Sequence, residues 1–305
     1  MTSNKSWIPY ITLLVIFWGV WGAFSALPAT LYHYPDQMIY IVWAFTMLIP
    51  CYFILRKNKF EYKPITALYG MLVGLTGAGG QLVLFKALTI GPAYLIFPVV
   101  SISPAITVVL ALLLLRERVA WLGWLGVLLA LVSIILLSVP DGSSGGLHVG
   151  TWLALALLVC VCWGAQAFWM KCAANAGASD ATTFAYMTLS GILLVPVAYW
   201  TMPGTGLDFP WQAPALTAGT QVLNAVGALF LVMAMSRGKA VIVAPCANAL
   251  APILTIVLSL MFYRTFPSVY SAIGIVLALG GSTLMIYTDS RRGSAPSESA
   301  VSGTQ

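Results

Sequence analysis

Five side-chain amides, three deep tryptophans and one lysine are the groups through which this 305-residue chain could do chemistry. Gln81, Gln166, Gln221, Asn224 and Asn248 each fall within about two turns of the centre of a long apolar run. Gln221 and Asn224 are spaced i, i+3, and so are Trp163 and Gln166, so each pair shares one helix face. A neutral amide surrounded by hydrocarbon must find a hydrogen-bond partner, which is either a neighbouring helix or a solute. Trp18, Trp21 and Trp163 lie at comparable depth, whereas Trp7, Trp121, Trp152, Trp200 and Trp211 sit at run ends, where an interfacial aromatic belt is expected. A deep indole either packs the core or offers a flat wall to a planar or apolar part of a solute. Lys86 stands roughly one turn before the outer end of its run. Its long stem either snorkels to water or holds a fixed positive charge at a cavity mouth, where a carboxylate or phosphate would bind. The sequence places no acid beside it, so an anionic or zwitterionic solute is its natural partner.

The chemistry that is missing narrows the function further. The acids Asp36, Glu61, Glu117, Asp141, Asp180, Asp208, Asp289 and Glu298 all fall in loops or at run ends. A proton-coupled exporter of cations needs a carboxylate near mid-membrane, so facilitated diffusion or exchange is expected instead. His33 and His148 fall at the outer surface, away from any proton relay. The five cysteines lie in or beside apolar runs, and their odd number argues against a disulfide framework or a zinc site. No metal spacing, nucleophile elbow or His–Cys or His–Ser pairing is present, so no enzyme activity, cofactor or metal is expected.

The elements that must position these groups follow from composition. Sixty per cent of residues are hydrophobic, seven per cent are charged, and the mean hydropathy is +0.95. Soluble domains carry about 25% charged residues, so this chain is expected in lipid, and its net charge of +6 reads as membrane topology rather than nucleic-acid binding. Ten apolar segments can be drawn: 7–28, 37–55, 64–90, 93–115, 120–139, 149–171, 181–202, 213–236, 239–262 and 268–287. With the N-terminus inside, the inner loops hold Lys5, Arg56, Lys57, Lys59, Lys63, Arg116, Arg118, Lys171, Arg237, Lys239, Arg291 and Arg292, while only Arg264 lies outside. That positive-inside bias places both termini in the cytoplasm of a bacterial inner membrane. The stretch 291–305 is polar and low in complexity and is expected to be a disordered cytoplasmic tail.

The glycine-rich stretch GLTGAGGQLVLFKAL (74–88) resembles a phosphate loop only in composition. It lies inside a 27-residue apolar run with no preceding strand, so it is expected to be a helix packing face carrying Gly70, Gly74, Gly77 and Gln81. The chain also repeats itself. ALTIGPAYLIFP (87–98) is similar to AMSRGKAVIVAP (234–245), and FWGVWGAF (17–24) to CWGAQAFW (162–169), an offset of about 146 residues. Each half, 1–142 and 143–290, then holds five spans, and an odd number inverts the second half in the membrane. Pro98, Pro104, Pro245 and Pro252 interrupt the fourth and ninth spans as fixed kinks or as hinges at the pseudo-twofold axis.

These features resemble the drug/metabolite transporter superfamily, in its EamA-type ten-helix branch, over about residues 7–288. The resemblance rests on Lys86-Ala87-Leu88, Pro98, LALLLLRERV (110–119) closing on Glu117, and the glycines Gly123 and Gly126. In the second half it rests on Gly238, Pro245, Gly274, Gly280 and Gly281; Arg264-Thr265 stands where the first half has its glutamate. The resemblance implies an all-α membrane protein of two five-helix bundles around a central cavity, moving small solutes by alternating access. An amino acid or related carboxylate-bearing metabolite is the leading expectation for its substrate, and a sugar or polyol the second. A non-transporting receptor or scaffold is the rival from another class. The expected partners are the solute and membrane lipid, with no nucleic acid, in a monomer or weak homodimer.

Overall fold

A computed structural model describes residues 8–103, 106, 110, 121–137, 149–202, 208–237, 240–264 and 266–292. Among these every regular element is a helix. In chain order they are α1 (Ile8–Phe24), α2 (Leu27–Tyr32), α3 (Asp36–Thr46), α4 (Leu48–Lys57), α5 (Pro64–Ile90), α6 (Ala93–Val100) and α7 (Trp121–Leu137). They continue as α8 (Val149–Asn175), α9 (Asp180–Leu193), α10 (Val195–Trp200), α11 (Gln212–Arg237), α12 (Ala240–Tyr263) and α13 (Val269–Arg292). Six helical stretches among the described residues are long and apolar enough to cross a membrane, and two shorter apolar helices follow them. Backbone N–H and C=O groups cannot be left open in hydrocarbon, which is why so apolar a chain closes its hydrogen bonds within helices.

Three of the expected spans are each built from two helices, and proline accounts for the breaks. The first parts at Ser25-Ala26 ahead of Pro28, the second at Met47 ahead of Pro50, and the seventh at Leu194 ahead of Pro196. Proline has no N–H to give and its ring collides with the carbonyl four residues back, so the preceding turn tightens. Met47 and Leu194 are 147 positions apart, the same offset that relates Ala87 to Ala234. Cap chemistry sets other ends: Ser179 Oγ accepts from the Thr182 N–H at the start of α9, and Ser268 Oγ from the Ser271 N–H at the start of α13.

The expected tail boundary shifts, because α13 continues through Arg291 and Arg292. The helix thus reaches two residues into the stretch 291–305; residues 293–305 lie outside the described residues. So does the expected boundary between the halves at 142/143.

Helix directions can be read from glycine contacts. A Cβ at Gly70 would strike Tyr186 and one at Gly74 would strike Ser190, so α5 and α9 run parallel. A Cβ at Gly77 would strike Gln166 and one at Gly80 would strike Trp163, so α5 and α8 run antiparallel. The expected packing face of α5 is therefore present, and it spans both neighbours. α1 is antiparallel to α11, through Trp18 on Gly227 and Trp21 on Gln221. It is parallel to α12, through Gly19 on Leu254 and Gly22 on Thr255. One continuous buried cluster, including Trp21, Tyr40, Trp43, Ala78, Phe97 and Trp152, ties these helices together.

Candidate functional site

A buried polar cluster is built by three helices. α11 presents Gln221 and Asn224 one turn apart on a single face, as their spacing requires. Trp21 of α1 donates its indole Nε1–H to Gln221 Oε1 at 3.0 Å, and Trp43 of α3 donates to Asn224 Oδ1 at 3.0 Å. Trp18, one turn before Trp21, donates to the Asn224 carbonyl at 3.1 Å and lies across Gly227. Trp21 also meets Phe97 of α6 edge-on, with ring centroids 5.7 Å apart, and Trp43 leans on Tyr40, whose hydroxyl donates to the Gly191 carbonyl at 2.9 Å. An interhelical side-chain hydrogen bond in a bilayer averages only about 0.6 kcal/mol. These bonds therefore orient the cluster more than they stabilise it; close packing of the indoles does the holding.

A second cluster lies where α8 crosses α5. Trp163 donates to the Gly77 carbonyl at 3.3 Å and lies across Gly80, while Gln166, one turn on, sits against Gly77. Gln81 is buried on the same helix. Gly77 and Asn224, like Gly80 and Gly227, are 147 positions apart, so the two indole contacts occupy corresponding places in the two halves.

Among the described residues two side-chain amide nitrogens are buried with no hydrogen-bond partner, Gln81 Nε2 and Gln221 Nε2. Their residues are 4% and 0% exposed. A sealed, unpaired donor costs on the order of 1–3 kcal/mol, so each marks a place where this conformation leaves a hydrogen bond unmade.

Lys86 has a partner that its sequence context does not suggest. Its Nζ lies 3.8 Å from Asp36 Oδ1, with the lysine side chain 52% exposed and the aspartate 11%. The expectation of a lysine without a nearby acid is thus corrected. Asp36 opens α3 directly after the extended Pro35 and is buried, three residues past the left-handed turn at His33. Beside it, Gln37 Nε2 donates to the Thr201 carbonyl at 3.1 Å, and Tyr34 meets Phe209 edge-on with centroids 5.2 Å apart. These contacts join the two halves at the end of the bundle that holds Lys86.

Other expected residues fall elsewhere. Trp152 is not in the exposed belt: it is 1% exposed and packed beneath Gly91, whose missing side chain leaves room for it. Trp121, Trp200 and Trp211 are exposed as the belt requires. Pro98 lies inside α6 and Pro252 inside the continuous α12. Pro245 and Asn248 also belong to α12, but their side chains lie outside the described residues, as does Pro104 altogether. Trp43 was absent from the sequence-derived set although it binds Asn224 directly. Its signal was available, an indole about one turn from the centre of the second span. Among the described residues no group of His, Cys, Asp and Glu could hold a metal ion.

Comparison with known proteins bears on this arrangement. A match to the EamA-like transporter family covers residues 5–139 and again 150–287. An uncharacterized protein of Methanocaldococcus jannaschii is 32% identical over 133 residues, which make up 42% of this chain and 93% of that protein. That relative is therefore about the length of one of the two matched units. A solved crystal structure shares the fold, with a TM-score of 0.61 over 91% of this chain and 98% of its own, at 17% identity.

Proposed function

The chain belongs to the EamA-like transporter family, as a multi-pass membrane transporter of small molecules, and on that premise we propose an alternating-access carrier of a small organic metabolite. Its substrate is an amino acid or related carboxylate-bearing metabolite, moved outward or down its gradient. The spans number ten, in two inverted repeats of 1–142 and 143–290, with both termini on the cytoplasmic face of a bacterial inner membrane. The observation that carries this reading is the duplicated contact: Trp18 on Gly227 and Asn224, and Trp163 on Gly80 and Gly77. Halves related in this way can exchange conformations about an axis between them, which is the working principle of an inverted-repeat carrier.

The substrate set on this reading is Trp18, Trp21, Gln81, Trp163, Gln166, Gln221, Asn224 and Asn248, with Lys86 at the outer mouth. Pro98, Pro104, Pro245 and Pro252 serve as hinges. The Lys86–Asp36 pair offers both signs of charge and so suits a zwitterion better than a bare anion. It also supports a second reading, a sugar or polyol carrier, because the cation is already neutralised and indoles and amides recognise sugars equally well. Purified protein in proteoliposomes, offered labelled amino acids and labelled sugars, tests both. Saturable amino-acid flux is expected. Flux of sugars alone replaces the first reading with the second, and absence of flux for every solute favours a scaffold.

A further inference from the structure

We propose that Trp21 and Trp43 set the specificity of this site by fixing the rotation of the Gln221 and Asn224 amides, so that their N–H donors are turned away from the indoles and left for an oxygen acceptor of the solute such as a carboxylate. The inference rests on the transport reading above and adds to it the polarity of the group recognised.

An amide carries one acceptor oxygen with two lone pairs, and two N–H donors. At Gln221 the oxygen is taken by Trp21 Nε1–H at 3.0 Å, and at Asn224 by Trp43 Nε1–H at 3.0 Å. The Asn224 main-chain oxygen is engaged too, by Trp18. An indole nitrogen can only donate, so it also fixes the amide's rotation. Turning Gln221 over would set its N–H₂ against the indole N–H, donor against donor. Gln221 is therefore held with Nε2 pointing away from Trp21, and this nitrogen is buried without a partner. Gln81 Nε2 on α5 is a second buried donor in the same condition. What these two buried donors lack is an acceptor. A solute ammonium brings more donors and can only share an oxygen that an indole already occupies, whereas a carboxylate or carbonyl oxygen completes the unmade bonds. No charged residue takes part, so release of the solute is not opposed by a fixed countercharge. Because Nε2 is sealed in this conformation, the solute oxygen reaches it in a conformation in which α1 and α11 have shifted.

The test uses the full-length protein in detergent and thermal stabilisation by two matched series: L-leucine, 4-methylpentanoate and 3-methylbutylamine; and L-alanine, propionate and ethylamine. A bound ligand raises the melting temperature with the logarithm of the ratio of its concentration to its dissociation constant. In at least one series the carboxylates are expected to bind at least about tenfold more tightly than the amine, since a polar site rejects a group that leaves its hydrogen bonds unmade. Trp21→Phe releases the Gln221 amide to turn over and should cut that preference to about threefold or less. Gln221→Met removes the donor at similar volume and should weaken carboxylate binding while the ligand-free melt stays cooperative. Should either variant fail to fold, the other still decides. Amines that stabilise as well as carboxylates, no stabilisation by any of the six, or a preference unchanged in both variants overturns the inference. Glucose and sorbitol flux into proteoliposomes keeps the two proposals distinguishable. Sugar flux without carboxylate preference removes this inference and leaves the carrier standing, while no flux for any solute removes both.

Discussion

Where α8 crosses α5, Trp163 lies across Gly80 and donates to the Gly77 carbonyl; where α1 crosses α11, Trp18 lies across Gly227 and donates to the Asn224 carbonyl. Each indole keeps a glycine as its seat and a main-chain oxygen one turn away. The side chains around that frame differ. α11 carries Gln221 and Asn224 where α5, at the same offset, carries Gly74 and Gly77. One turn after the indoles, α1 carries Trp21 and α8 carries Gln166. Close packing and backbone bonding are shared by the two contacts, while side-chain hydrogen bonding is concentrated on one. The alternating access proposed above works in both directions and favours a symmetric frame; recognising one solute does not.

The comparison can be broken most directly at the glycines. Gly80→Leu and Gly227→Leu each force a side chain into an indole and should lower stability by about 3 kcal/mol, read by denaturant or thermal unfolding in detergent. Similar losses support equivalent seats; a large loss at only one of them would show that the two contacts are not copies. Asn224→Leu comes next. It leaves the buried Trp43 N–H without its acceptor and should cost about 2 kcal/mol, whereas Gln166→Leu on the other contact should cost less than about 1 kcal/mol. Equal costs would mean that the polar asymmetry has no energetic content. Lys86→Met should have the smallest effect on stability, less than about 1 kcal/mol, since the pair is half in solvent and 3.8 Å apart. Its amino-acid flux should nevertheless fall severalfold; undiminished flux removes Lys86 from the substrate path.

The frame was legible in the sequence because it rests on residue types with few alternatives. Trp18 with Trp163, Pro98 with Pro245 and the glycine row of α5 are rare residues recurring at fixed spacing. Gln221 and Asn224 were legible from depth and spacing alone. Their partners were not. Trp43 lies 181 positions from Asn224, and hydropathy gives no measure of which of several indoles turns toward a given helix. Asp36 looked like a loop residue because apolar runs mark where a span begins and not whether its first side chain folds inward, so the pair with Lys86 could not be seen. Trp152 looked interfacial for the same reason; only the glycine opposite, Gly91, shows why an indole near a helix end can be sheltered.

That sheltered position has an optical consequence. Trp121, Trp124, Trp200 and Trp211 are exposed, whereas Trp21, Trp43 and Trp152 are enclosed by protein. Brominated lipid tails or dissolved iodide should therefore quench the first group's fluorescence and leave the second group's emission, blue-shifted by its dry surroundings, largely intact. Trp152 is enclosed by Gly91 of the opposite half, so parting the halves at that end transfers its emission from the protected population to the quenchable one. On the alternating access proposed above, the chain thus carries its own fluorophore for following, without an added label, which end of the bundle is open.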